Sequence, residues 1–111
     1  MTYRRGDVVI CAASGDYGKP RPAVVLQSDL FNPTHASVTV CPVTSHLTDA
    51  PLFRVPLKPT PGNGLKTESQ AMTDKLVTLR AERISRVVGH LAEPDMGKID
   101  SALTLWLGLR S

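Results

Sequence analysis

Gly15-Asp16-Tyr17-Gly18-Lys19-Pro20-Arg21-Pro22-Ala23-Val24-Val25-Leu26 opens polar and closes apolar. Two glycines and two prolines interrupt regular structure on its polar side, so it reads as a mobile loop feeding a buried strand. Arg21 stands at the junction, between Pro20 and Pro22. A residue before proline is biased toward extended backbone, which would carry the guanidinium on a stiff, strand-like base.

Outward from this junction, Val8-Val9-Ile10-Cys11-Ala12 and Ala23 to Gln27 read as the first two strands, both continuously apolar, as suits a small closed barrel. Asp29 to His35, holding Asn32-Pro33, is a connection. Ser37-Val38-Thr39-Val40-Cys41-Pro42-Val43 alternates as a third strand and ends at Thr44-Ser45-His46. Leu52 to Leu57 has period two and predicts a fourth, with Leu52 or Phe53 toward the core, Arg54 outward and Pro56 marking an edge. Thr60-Pro61-Gly62-Asn63-Gly64 is a turn cluster, and Leu65 to Leu79 reads as one longer strand. A single helical turn over Arg80 to Arg83 and a short strand through Ile84, Val87 and Val88 follow, the strand ending near Gly89-His90-Leu91. Pro94 suits a helix start, and Glu93, Asp95 and Asp100 lie in the first turns, where the macrodipole favours carboxylates. Met96, Ile99, Leu103 and Trp106 form an apolar stripe that lays this helix on the barrel, with Trp106 as its core anchor. The expected class is mainly β with a C-terminal helix, one domain over residues 1–111.

At 111 residues the chain is long enough to bury roughly two thirds of its unfolded surface without staples. Thirteen Lys and Arg against ten Asp and Glu give a net charge of +3, which permits a polyanionic partner. From Pro56 to Ala92 there are six basic residues against three acidic ones, so the whole excess lies there. Cys11 and Cys41 sit inside apolar runs with no metal-ligand spacing and read as reduced, buried thiols. No apolar stretch suits a signal peptide or a membrane span, so a cytoplasmic protein without a membrane partner is expected.

Arg5-Gly6-Asp7-Val8-Val9, Lys19-Pro20-Arg21-Pro22-Ala23-Val24-Val25-Leu26, Pro42-Val43-Thr44-Ser45, Gly64-Leu65-Lys66-Thr67-Glu68-Ser69-Gln70, Asp74-Lys75 and Arg83-Ile84 together resemble the MazF/PemK family of toxin endoribonucleases. The resemblance covers nearly the whole chain. It implies an SH3-like β-barrel of the CcdB/MazF superfamily, a homodimer, cleavage of single-stranded RNA without metal or other cofactor, and inhibition by a cognate MazE/PemI-like antitoxin. Arg21 and Thr44 match the family's catalytic arginine and threonine.

Metal-free RNA cleavage uses the substrate's own 2′-hydroxyl as nucleophile. The protein must then help remove that proton, stabilise charge on the phosphate and protonate the leaving 5′ oxygen. A guanidinium fork and a threonine hydroxyl fit phosphate stabilisation. Arginine is a poor proton carrier because its pKa exceeds 12, which leaves His46 and Asp74 as candidates. His46 reads equally as an exposed loop residue, and Asp74 as half of an ion pair. Tyr17 could stack on a base or pack locally, and Lys19 and Ser45 flank the two catalytic positions. Lys66, Lys75 and Arg80 could track the RNA backbone or form a solvated charged face. Two other readings remain: a CcdB-like gyrase poison, on the loose similarity of Trp106-Leu107-Gly108-Leu109, and a non-catalytic SH3-like binding module.

Overall fold

Among the described residues seven antiparallel strands precede one α-helix: β1 (Asp7–Cys11), β2 (Arg21–Val25), β3 (Ser37–Thr44), β4 (Arg54–Leu57), β5 (Ser69–Met72), β6 (Val77–Arg80), β7 (Ile84–His90) and α1 (Glu93–Leu107). The structure is a computed structural model, and it describes residues 2–12 and 19–110. The strand order is β4-β5-β3-β2-β1-β7, with β6 also on β3.

The continuous apolar runs of β1 and β2 follow from having a core on both faces. Val8 and Val24 join Cys41, Val43, Val55, Leu57 and Ala71 in one cluster, beneath Met96, Ile99, Ala102 and Leu103 of α1. Their neighbours Val9, Cys11, Ala23 and Val25 join Val38, Val40, Leu79 and Ile84 in a second. Both cysteines are buried and in the reduced, thiol form, and burial pushes the Cys41 thiol up to about 12.

The long third strand organises the sheet. One edge of β3 pairs with β2, while the other takes β6 along Ser37–Val40 and β5 at Val43–Thr44. Pro42, which has no N–H to donate, falls in the gap between those two partners. The single strand expected over Leu65 to Leu79 is therefore two strands, separated by a 3₁₀ turn at Thr73–Lys75. Buried Thr73 fixes the break, because its hydroxyl and its N–H both donate to the Phe53 carbonyl, at 2.6 and 3.1 Å.

The fourth strand is an edge, as Pro56 predicts, and its buried residues are Val55 and Leu57. Leu52 is exposed, and Arg54 does not point out to solvent: its side chain is only 12% exposed against Asp74. The helix stripe is buried at Met96, Ile99 and Leu103, but Trp106 is half exposed. At the last turn the ring pairs with Phe53, with centroids 5.4 Å apart and planes tilted at 49°. Gly108 ends the helix in the left-handed conformation, φ 68°, and its N–H bonds back to the Leu105 carbonyl.

Candidate nucleic-acid interface

Ala23 pairs with Pro42 across β2 and β3. Arg21 lies two residues before Ala23, and Thr44 two residues after Pro42, so both side chains leave the same face where the strands end. Between them they form a ridge shared by two depressions, since Arg21, Pro22, Val43 and Thr44 line both. The first, about 290 Å³, is mostly apolar: Ala23, Val40, Met72, Val77 and Leu79 wall it, and Lys75 is its ammonium. The second, about 340 Å³, is more polar than the first and cationic, with Ser45, Lys66, Thr67 and Arg86 around it.

Thr44 is held in a defined state. Its Oγ1 accepts the His46 backbone N–H at 3.0 Å, so a lone pair is used and the hydroxyl proton is left to donate. The turn beyond is clasped by Gln70, which faces Thr44 across β3 and β5. Gln70 Nε2 donates to the Thr48 carbonyl at 2.8 Å, and its Oε1 accepts the Thr48 N–H at 3.1 Å.

The other expected site residues divide. Ser45, Lys66 and Lys75 come to the two depressions with Arg21 and Thr44. Lys19 is exposed, two residues ahead of Arg21, and Tyr17 lies outside the described residues. The His46 side chain is exposed and lines neither depression. Asp74 faces Arg54, with Nε to Oδ1 at 2.9 Å and Nη2 to Oδ2 at 3.3 Å. That guanidinium holds the Asp74 carboxyl below its ordinary range. Arg80 is not near the ridge: it pairs with Ser37, at the opposite end of β3 from Thr44 and roughly 23 Å along the strand. Its guanidinium is 82% exposed and meets Glu82 at 3.6 Å.

Arg86 and Gln70 were not singled out from sequence. The signal for Arg86 was the basic excess between Pro56 and Ala92, but only the pairing of β7 with β1 shows which of those cations converge. Among the described residues no three His, Cys, Asp or Glu side chains group into a set able to hold a metal ion. Among the described residues no helix is long and apolar enough to cross a membrane.

A mainly antiparallel β fold with a C-terminal helix carries a ridge of arginine and threonine between two grooves. The chain belongs to the family described as PemK-like, MazF-like toxin of type II toxin-antitoxin system, which matches residues 4–107. It is 50% identical over 107 residues to "Probable endoribonuclease MazF" of Mycolicibacterium smegmatis, covering 96% of this chain and 97% of that protein. Among solved structures, Mycobacterium tuberculosis toxin MazF-mt6 superposes with a TM-score of 0.82 at 23% identity, covering 95% of this chain and 99% of that one. An endoribonuclease in complex with its cognate antitoxin, from a mycobacterial species, gives 0.79 at 23% identity and covers 99% of each. These likenesses establish the small β-barrel fold of the CcdB/MazF type.

Proposed function

We propose that this toxin is a metal-independent endoribonuclease that cleaves single-stranded RNA on the ridge formed by Arg21 and Thr44, leaving a 2′,3′-cyclic phosphate and a 5′-hydroxyl. The observation that carries the reading is their convergence from two strand ends onto the wall between two grooves. A strand laid across that wall presents its phosphate to both side chains and a nucleotide to each groove.

As the 2′-oxygen attacks, charge builds on the non-bridging phosphate oxygens. The Arg21 guanidinium offers them a planar fork, and the Thr44 hydroxyl donates a further bond. Of the two proton carriers, His46 is favoured. Both Asp74 oxygens are committed to Arg54, whereas the bond near His46 uses only its backbone N–H, so the imidazole remains available.

Three partner assignments accompany this reading. An antitoxin binds the same positive surface through an acidic segment, supported by the antitoxin complex of the mycobacterial relative, and its inhibition weakens with salt. A second copy of the chain completes a homodimer. Val87 of β7 is exposed, and Leu52, Leu105, Trp106, Leu107 and Leu109 remain exposed around the end of α1, which supplies apolar surface for such contacts. The working compartment is the cytoplasm, where the RNA is.

Replacing Arg21 with alanine tests the reading. Single-turnover cleavage should fall about 10²-fold or more, as when one preorganised donor is lost, with the melting temperature nearly unchanged because Arg21 is exposed. Lysine should rescue poorly, since it keeps the charge without the fork. A variant that melts and cleaves like the parent would remove Arg21 from the site.

A further inference from the structure

We propose that Arg86 and Lys66 form a second phosphate subsite, which grips the RNA backbone next to the scissile position. The inference rests on the reading of the Arg21–Thr44 ridge as an RNA site and adds to it a holding point outside the chemistry.

Three features build this subsite. Pro22, Ile10 and Arg86 stand in one row across β2, β1 and β7, since Ile10 pairs with Pro22 on one side and with Arg86 on the other. All three line the cationic depression, so the row runs from the base of the ridge to Arg86.

Lys66 reaches the same depression from a loop that is tied down rather than loose. Buried Asn63 accepts the Thr60 and Leu65 N–H groups on its Oδ1, at 3.1 and 3.0 Å, and donates to the Lys58 carbonyl at 2.9 Å. Gly64, at φ 69°, lies so close to β7 that a Cβ there would come within 2.3 Å of the Val88 carbonyl oxygen. The loop is thereby docked on the strand that carries Arg86.

The third feature is charge. Among the described residues neither Lys66 nor Arg86 has an ion-pair partner, whereas Arg5, Arg54 and Arg80 each face a carboxylate. Two cations without carboxylates, joined by the Ser45 and Thr67 side chains beside the reaction ridge, complement a phosphodiester and repel one another without it.

The test is binding of a short 2′-O-methyl RNA oligonucleotide, which cannot be cleaved, followed by fluorescence anisotropy across a salt series. One phosphate contact on a single strand contributes a salt slope of about 0.7, which corresponds to about five-fold in affinity near 0.1 M salt. Arg86→Gln should therefore bind about five-fold more weakly with a slope shallower by about 0.7, while Arg86→Lys keeps the slope. Arg83→Gln, on a second 3₁₀ turn at Ala81–Arg83 outside both depressions, should change neither. A neutral methylphosphonate at one flanking position should reproduce the loss in the parent and add nothing in Arg86→Gln.

Unchanged affinity and slope in Arg86→Gln, in a parent that cleaves RNA, overturns the subsite and leaves the nuclease reading standing. A parent that binds through Arg86 and the flanking phosphate but does not cleave keeps the subsite and overturns the nuclease reading. Loss of competition by an acidic peptide in Arg86→Gln, with oligonucleotide binding intact, makes the depression a protein site and overturns the RNA assignment.

Discussion

Asp74 and Arg54 meet through two hydrogen bonds across twenty residues of sequence, with the two side chains only 13% and 12% exposed. The pair joins the 3₁₀ turn after β5 to the edge strand β4 and fixes the approach to Lys75, which lines the apolar groove. Removing one partner of so enclosed a pair leaves the other charge unsatisfied, which is more damaging than the net contribution of the pair itself.

Asp74→Asn should accordingly destabilise the fold by about 1–3 kcal/mol near neutral pH, with cleavage per folded molecule changed little. The pH dependence has a definite sign. The Asp74 pKa is lowered in the folded chain, first by the Arg54 hydrogen bond, so its stabilisation is present above the unfolded-state value of about 3.9 and is lost as pH falls through the folded value. Thermal melts of parent and variant should differ most around pH 6–7 and converge below about pH 4. Parallel melts combined with a hundredfold activity loss would instead place Asp74 in the chemistry.

Thr44 and His46 are separated by substitution because the bond between them uses a backbone N–H. Thr44→Val should slow single-turnover cleavage by about 10²-fold, and Thr44→Ser should retain most of the rate. His46→Ala preserves the Thr44 acceptor bond, so its effect isolates the imidazole. It should slow single-turnover cleavage by about 10²-fold or more, the usual contribution of a positioned general acid or base. An unaltered rate would return His46 to the role of an exposed turn residue.

Gly97 offers a stability prediction independent of function. It lies within α1 on the exposed side, and a Cβ added there would meet nothing within 4 Å. Gly97→Ala should stabilise by roughly 0.5–1 kcal/mol, raising the melting temperature by a few degrees and leaving RNA cleavage unchanged.

Much of this architecture is legible in the sequence. β1, β2 and β3, the Pro56 edge, the turn at Thr60–Gly64 and the helix from Glu93 follow from apolar periodicity and from glycine and proline placement. The errors share a physical origin in contacts between distant segments. Leu65 to Leu79 reads as one strand by composition, and the segment divides because β3 changes partner at Pro42 and Thr73 bonds to the Phe53 carbonyl. Arg54 turns inward because Asp74 meets it there. Trp106 continues the helical stripe by spacing, yet at the last turn of α1 its ring is half exposed and pairs with Phe53.

The site shows the same division. Arg21 is marked by its place between loop and strand, and Thr44 by the family resemblance of Pro42-Val43-Thr44-Ser45, whereas Arg86 depends on the β1–β7 register. That register shifts twice, between Val8 and Val9 and between Ile10 and Cys11, and simple alternation along β7 cannot anticipate it.

The most direct measurement is to incubate the purified chain with a long single-stranded RNA in excess EDTA and to map both new ends at each break. The expected result is efficient cleavage that leaves a 2′,3′-cyclic phosphate, or its opened 3′-phosphate, and a 5′-hydroxyl, with no cut where the upstream sugar is 2′-deoxy. Activity abolished by EDTA and restored by magnesium, or cleavage that proceeds at a 2′-deoxy position, would contradict the proposed attack by the 2′-hydroxyl at the Arg21–Thr44 ridge.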